Sequence, residues 1–478
     1  MPLSVSSPLV TIAHSYYLRY DAKQLARMRP YPPLATLTAA AYLREGGTPV
    51  TVFDAMLADG VDEFVAHLDA HRPTIVGILE DNFNFLTKMC TVRMREAAFE
   101  MIQAATARGC RVAVNGSDAT DRSAEYLAAG ADAVIVGEAE RTFAEIVAQW
   151  SRDRDAPLDG VRGLRLRGES GGVRATGARP FLDDLDRLPF PAWDLVDVAQ
   201  YRDAWRTAHG RFSWNVVTSR GCPYHCNWCA KPVFGTRYAQ RSPAAVAEEF
   251  ARLRQLVRPD HIWFADDIFG LTERWITAFA EEIAHRDART PFMMQSRANL
   301  MRPEVVAALA RAGCEEVWLG VESGSQTILD AMDKGTRVEQ VRSATRALRK
   351  AGIRTGWFLQ LGYLGEQWAD IERTRDLVRD ERPDEVGVSV AYPLPGTPFY
   401  ETVRAQLGDK QNWDHSGELA MMFQGTYTTG FYREVRNLLH EEVEHAGRQR
   451  PADLEARWHH LERREVFCRT HPLPVATP

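Results

Sequence analysis

The sequence predicts an α/β protein in two principal parts: a doubly wound parallel sheet, then a partial (β/α)6 barrel, ending in a helical C-terminal segment. Three observations carry this. Strand and helix signals alternate in short units from Leu9 to beyond Thr142, as in a parallel sheet covered on both faces. The alternation breaks over a Gly- and Pro-punctuated stretch. It resumes between Trp214 and Ala391 with six strand candidates, too few for an eight-fold barrel. The chain has 478 residues, 45% of them hydrophobic. At roughly 100–200 residues per domain this accommodates two to four domains, each able to bury a core without disulfides. The expected parts are 1–155 for the first sheet, 156–200 for a hairpin and linker, 201–425 for the barrel and 426–478 for the helical end.

The elements follow in order. Leu9–Ala13 is a short apolar run. After Pro32-Pro33, Leu34–Leu43 is rich in Ala and Leu and reads as a helix ended by Gly46-Gly47. Pro49–Phe53 is β-branched and strand-like, Val61–Leu68 helical, and Thr74–Leu79 a buried strand. A long helix runs to about Arg108, followed by strand Arg111–Val114, a helix around Ala124–Ala129, strand Ala133–Val136 and a helix from Thr142. Sheets of this kind bind ligands at the carboxyl ends of their strands. The loops there are His14–Tyr17, Glu80–Thr87, Asn115–Ala119 and Gly137–Arg141.

The segment GLRLRGESGGVRATG reads as a hairpin turning at Glu169–Gly172, and Pro180–Leu195 as an ordered acidic linker. The second set of strands is Trp214–Thr218, His261–Ala265, Phe292–Gln295, Glu316–Val321, Thr355–Leu361 and Glu385–Ala391. Helices such as Pro243–Val257, Glu273–His285 and Val338–Ala351 separate them. Tyr432–His445 is amphipathic, and the chain after His471 reads as a loose tail.

Lys and Arg number 58 against 64 Asp and Glu, a formal net charge of −6. Without a basic excess, a mainly electrostatic nucleic-acid binder is not expected. Mean hydropathy is −0.32, and no apolar run approaches the ~18–20 residues of a membrane span. The stretch MPLSVSSPLVTIAHSYY lacks the basic head, apolar middle and cleavage site of a secretion signal, which points to the cytoplasm. Thiols there stay reduced, so the odd count of seven cysteines needs an explanation other than disulfides.

Three of them, Cys222, Cys226 and Cys229, fall within eight residues as C-x3-C-x2-C, in TSRGCPYHCNWC directly after a predicted strand. Such spacing lets one loop present three thiolates to one inorganic centre. Structural zinc needs a fourth ligand, from His or a second CxxC pair. No second pair exists, and His225 lies inside the loop, where its reach competes with its neighbours. A [4Fe–4S] cube accounts for the missing ligand differently, by leaving one iron open to a substrate. Cys90, Cys110 and Cys314, in helical contexts, read as small core residues, and Cys468 has no assigned chemistry.

The triad, with aromatic Trp228 before its last cysteine, resembles the cluster motif of radical S-adenosylmethionine (SAM) enzymes. The resemblance implies that the open iron chelates the amino and carboxylate groups of SAM. It extends along the barrel. Asp266 and Asp267 in WFADDIFG match the acidic element that receives the SAM ammonium, and Arg297 follows the third strand. Glu322 and Ser323 in LGVESGS match the segment holding the ribose and methionine end. Gly362 in QLGYLGEQ lies where adenosine binds, and Tyr392, Pro393 and Leu394 in YPLPGT offer backbone to adenine. Each has a plainer reading as a cap, turn or surface ion pair.

The domain order resembles the cobalamin-binding subfamily: a Rossmann-like module of cobalamin-binding type, the linker with DDLDRLPFPAWDL, then the radical SAM barrel. The matching N-terminal pieces are YPPLATLTAAAYLREGG, the strand ending in Asp54, VNGSDAT and AGADAVIVGEAERTF. Candidate corrinoid contacts are Asn82, Asn84, Gly116, Ser117, Gly137 and Glu138. No D-x-H-x-x-G motif is present; Asp69-Ala70-His71 comes nearest, with Thr74 in place of Gly. Asn115 and Ala139 stand where Gly is usual. The resemblance implies a [4Fe–4S] cluster, SAM and cobalamin as cofactors, a one-electron reductant such as flavodoxin or ferredoxin, and a small-molecule substrate. It implies methylation of an unactivated carbon or phosphorus through a 5′-deoxyadenosyl radical and methylcobalamin. The alternatives are ring contraction, cyclisation or oxidation without net methyl transfer, and a non-catalytic corrinoid or cluster sensor. Methylthio transfer to RNA would need further N-terminal cysteines that the chain lacks.

Overall fold

The computed structural model describes residues 9–83, 92–168, 171–231, 233–410, 419–446 and 452–470. Asn84, Cys90, Glu169 and Trp413 lie outside the described residues. The chain divides into two compact units, Met1–Cys222 with Lys231–Asp266, and Pro223–Ala230 with Asp267–Pro478.

The first unit is built on strands β1 (Val10–Ala13), β2 (Val50–Phe53), β3 (Ile75–Leu79), β4 (Arg111–Asn115) and β5 (Ala133–Ile135). They are parallel, in the order β2-β1-β3-β4-β5. Helices Leu34–Glu45, Val61–His71, Val92–Ala107 and Ala139–Arg152 alternate with them. Successive strand side chains point to opposite faces, so the central strands are buried on both and feed two cores. Val76, Ile78, Val112 and Val114 enter one core with Phe64 and Met101. Ile75, Leu79, Ala113 and Ile135 enter the other with Leu43, Phe143 and Trp150. Gly77 leaves room for Phe143, since a Cβ there would lie 2.5 Å from the ring.

The expected hairpin forms, as β6 (Leu164–Arg167) and β7 (Val173–Ala175). It continues the first sheet, β6 pairing antiparallel with β5. The acidic linker carries short 3-10 turns at Leu185–Arg187 and Trp193–Leu195. A helix that the sequence reading does not contain, Val198–His209, follows. Asp197 caps it by accepting the N–H groups of Ala199 and Gln200. Its Trp205 Nε1 donates to the Pro30 carbonyl at 2.6 Å. The same unit holds β8 (Ser213–Val216), β9 (Ser219–Arg220), β10 (Ala239–Gln240) and β11 (His261–Phe264); β8 and β11 are parallel, with Trp214 opposite Ile262.

The second unit holds β12 (Phe292–Ser296), β13 (Cys314–Glu322), β14 (Arg354–Leu361) and β15 (Glu385–Val390), parallel and in sequence order. Helices Glu273–His285, Pro303–Ala312, Val338–Lys350 and Trp368–Glu381 alternate with them. These four, and β8 and β11 in the first unit, account for the six strands the sequence predicts. Cys314 opens a strand instead of lying in a helix, because Gly313 at φ +106° ends the preceding helix. It is buried, as is Cys110. Two C-terminal helices, Thr429–Glu444 and Ala452–Cys468, are joined to the helix Trp368–Glu381 through Arg379, which donates to Glu442 at 2.5 Å and Glu455 at 2.7 Å. Among the described residues no helix is long and apolar enough to cross a membrane.

Candidate functional site

The cysteine loop leaves β8 through Thr218. Asp266, fully buried, accepts hydrogen bonds from the Thr218 backbone N–H at 3.1 Å, the Thr218 hydroxyl at 2.7 Å and the Ser219 hydroxyl. A carboxylate receiving three donors is a firm brace, so Asp266 holds the entrance of the loop. Asp267 next to it is exposed. β9 and β10 pair antiparallel, and Gly221 then turns the chain at φ +76°. A Cβ at Gly221 would lie 2.0 Å from the Arg237 carbonyl oxygen, so only glycine fits.

Cys222, Cys226 and Cys229 form no disulfide and are half-buried. Among the described residues no three His, Cys, Asp or Glu side chains are placed together to hold a metal ion, so the thiols share a loop without forming a closed cage. The donor set fits a thiolate-bound iron–sulfur centre: three reduced thiols on one segment, with the buried Arg297 guanidinium donating from Nη1 to Cys226 Sγ at 3.3 Å. Between the last two cysteines, Asn227 anchors the loop to the second unit. Its N–H donates to the Met332 carbonyl at 3.1 Å and its side-chain nitrogen to the Ala331 carbonyl at 2.8 Å. Its Oδ1 accepts from the Tyr363 hydroxyl at 2.8 Å, and its carbonyl from the Phe399 N–H at 3.0 Å. Trp228 packs into the apolar cluster of Ile328, Met332, Tyr363 and Phe399. Sequence reasoning missed Asn227; the only signal was a polar residue flanked by ligand positions.

At the end of β13, Glu322 adopts φ +64°, an uncommon conformation for a residue with a side chain. Its carboxylate is buried and accepts from Lys334 Nζ at 2.7 Å. Lys334 is a second residue the sequence reading missed. Ser323 Oγ accepts the Ser325 N–H at 3.1 Å and lies 3.3 Å from the Thr374 hydroxyl. After β14, the Gly362 N–H donates to Glu366 Oε2 at 2.7 Å. Burial pushes the Glu366 carboxyl up to about 8. The Tyr392 hydroxyl accepts the Leu419 N–H at 3.1 Å, Pro393 is buried, and the Leu394 carbonyl accepts from Thr397. Within the second unit these residues all follow strand carboxyl ends.

In the first sheet the chain winds outward in both directions from β1 and β3, and the crevice at such a switch point is where doubly wound sheets bind ligands. His14 follows β1 and Glu80 follows β3. His14 Nε2 lies 2.9 Å from Asp54 Oδ1, and Asp54 Oδ2 accepts the Tyr201 hydroxyl at 2.6 Å. His14 Nδ1 is buried with no hydrogen-bond partner among the described residues. Glu80 accepts from the Ser15 hydroxyl at 2.6 Å. Asn82 donates to Asn115 Oδ1 at 2.8 Å, and Asn115 donates on to the Gly137 carbonyl at 3.0 Å. Gly116 lies against Glu80, and Ser117 is buried at the start of the short helix Ser117–Asp121. Polar side chains with an orphaned ring nitrogen fit a large ligand with a polar rim.

Glu138 is held differently from its neighbours. Arg220, two residues before Cys222, donates to Glu138 at 2.6 Å and to Glu140 at 2.6 Å. All three are buried. The guanidinium also lies over the stacked Phe83 and Phe234 rings, 5.7 and 5.4 Å from their centroids.

Residues 216–378 match the family described as Radical SAM superfamily, and residues 28–147 the family described as B12 binding domain. The chain is 31% identical over 284 residues to an uncharacterized methyltransferase of Pyrococcus horikoshii, covering 59% of this chain and 60% of that protein. It therefore spans less than two thirds of that relative. It is 28% identical over 393 residues to an anaerobic magnesium-protoporphyrin IX monomethyl ester cyclase of Rubrivivax gelatinosus, covering 80% of this chain and 67% of the cyclase. In fold it is similar to the radical SAM methyltransferase TsrM of Kitasatospora setae, solved with cobalamin and a [4Fe–4S] cluster. The TM-score is 0.70 at 20% identity, over 85% of this chain and 79% of that one.

Proposed function

The chain belongs to the cobalamin-binding radical SAM enzymes, and from that premise we propose that it methylates an unactivated carbon or phosphorus of a small biosynthetic intermediate. The observation that carries this is the pairing, in one chain, of a B12-binding domain with a three-cysteine loop. A [4Fe–4S] cluster, SAM and cobalamin are its cofactors. When bound, the cluster and SAM supply a hydrogen-abstracting radical, and the corrinoid supplies the methyl group.

The residues of the chain divide that work. Cys222, Cys226 and Cys229 hold iron, with Asp266 bracing the entrance of their loop and Asn227 anchoring it between the last two cysteines. Asp267, Glu322, Ser323, Gly362 and Tyr392–Leu394 are offered to SAM. Asn82, Gly116, Ser117 and Gly137 are offered to the corrinoid. Apolar packing of Trp228 against its buried cluster covers one side of the loop. A flavodoxin or ferredoxin would deliver the electron, which sets the reaction in the cytoplasm. A second reading, ring closure without methyl transfer, is favoured by the match to the cyclase over 80% of the chain. The two separate by product. Protein reconstituted anaerobically and supplied with cobalamin, SAM, dithionite and substrate is expected to release both S-adenosylhomocysteine and 5′-deoxyadenosine. Deoxyadenosine with no S-adenosylhomocysteine would overturn methyl transfer.

A further inference from the structure

Arg297 is 4% exposed, and its guanidinium is held from every side. Nε donates to Asn299 Oδ1 at 3.2 Å. Nη2 donates to the Lys334 carbonyl and to the Thr336 hydroxyl at 3.1 Å. Its carbon lies 3.8 Å from the centroid of the Tyr224 ring. The remaining nitrogen, Nη1, donates to Cys226 Sγ at 3.3 Å. An arginine needed only to fill space would not require four fixed partners, and one recruited for surface charge would not be buried. Its rigidly planar fork is instead aimed at a ligand sulfur by contacts from two separate loops.

We infer that Arg297 sets the reduction potential of the iron–sulfur cluster through its hydrogen bond to Cys226. The inference rests on the cluster assignment made above and deepens it. Reduction adds one electron, and therefore one negative charge, to a centre already bearing three thiolates. A fixed cation donating to one of those sulfurs favours the more negative state, and hydrogen bonds to ligand sulfur are a recognised lever on such potentials. Arg297 thus acts as a positioning and tuning residue: it makes the cluster easier to reduce. Asn299, Thr336 and the Lys334 carbonyl keep the charge from swinging away.

The test is a dithionite titration of anaerobically reconstituted full-length protein without SAM, followed by electron paramagnetic resonance, with iron counted beforehand. Wild type and Arg297→Gln are expected to hold equal iron. The variant should shift the one-electron equilibrium toward the oxidised form by about tenfold, a potential lower by ~59 mV. Arg297→Lys, which keeps charge but not the fork, should fall between. Full iron with an unchanged or higher potential in Arg297→Gln overturns the inference while leaving the cluster assignment intact. Failure of the wild type to take up iron overturns both. If Arg297→Gln loses iron, Thr336→Val carries the test, because it loosens Arg297 without removing it. A smaller shift in the same direction supports the inference, and an identical potential overturns it.

Discussion

Glu366 is fully buried and accepts the Gly362 N–H, and burial raises its carboxyl from the ordinary 4.5 to about 8. The folded protein therefore keeps a proton that the unfolded chain releases. With the folded value above the unfolded one, the stabilisation is complete below about 4.5 and is lost as pH rises through about 8. Thermal melts should show a lower Tm at alkaline than at mildly acidic pH, and Glu366→Gln should shrink that difference. An unchanged pH dependence in the variant would place the effect on another group. Gly221 makes a second single-residue case. Gly221→Ala pushes a methyl into the Arg237 carbonyl and is expected to lower iron content and destabilise by about 1–3 kcal/mol or more, read by iron assay and melting. At this scale the sequence was least legible. The cysteines announced themselves by spacing. Lys334 and Asn227 did not, because their partners Glu322, Ala331 and Tyr363 are brought to them only by folding.

Elements were more legible than residues. The predicted strands of the second set each lie within about two residues of the observed ones, since short, largely apolar runs between charged and turn-forming residues mark them locally. Helix Val198–His209 escaped because its exposed face is strongly charged and polar, leaving few apolar repeats to read. Two elements depend on contacts that pattern cannot show. β3 carries Gly77 under the Phe143 ring, so Gly77→Ala should overpack that core and cost about 1–3 kcal/mol in denaturant unfolding. β9 carries Arg220 between Glu138 and Glu140. Arg220→Met strands two buried carboxylates and is expected to cost about 3–5 kcal/mol, while adding Glu138→Gln and Glu140→Gln should recover much of it. A triple variant no more stable than the single would remove charge burial as the cause.

For the whole molecule, the fold class and the cofactor set were legible, because two domains in fixed order and a short cysteine motif are both local in sequence. The proposed division of labour is equally local: the cysteines offered to iron lie in Cys222–Cys229, and the residues offered to the corrinoid lie before Arg152. The triple variant Cys222→Ala, Cys226→Ala, Cys229→Ala is accordingly expected to lose all iron yet still bind cobalamin, as judged by metal analysis and visible absorbance. Loss of both would show that the two sites do not form independently.

The route of the backbone has one more consequence. The chain leaves its first unit at Cys222, contributes only Pro223–Ala230 to the second, returns at Lys231, and leaves again after Asp266. During vectorial synthesis, the eight residues carrying two of the thiols emerge long before the partners of Asn227, which lie as far on as Phe399. Contacts of such separation in sequence close late. The Asn227 contacts that pin the cysteine loop therefore cannot all form until Phe399 has been synthesised, when most of the chain is already made.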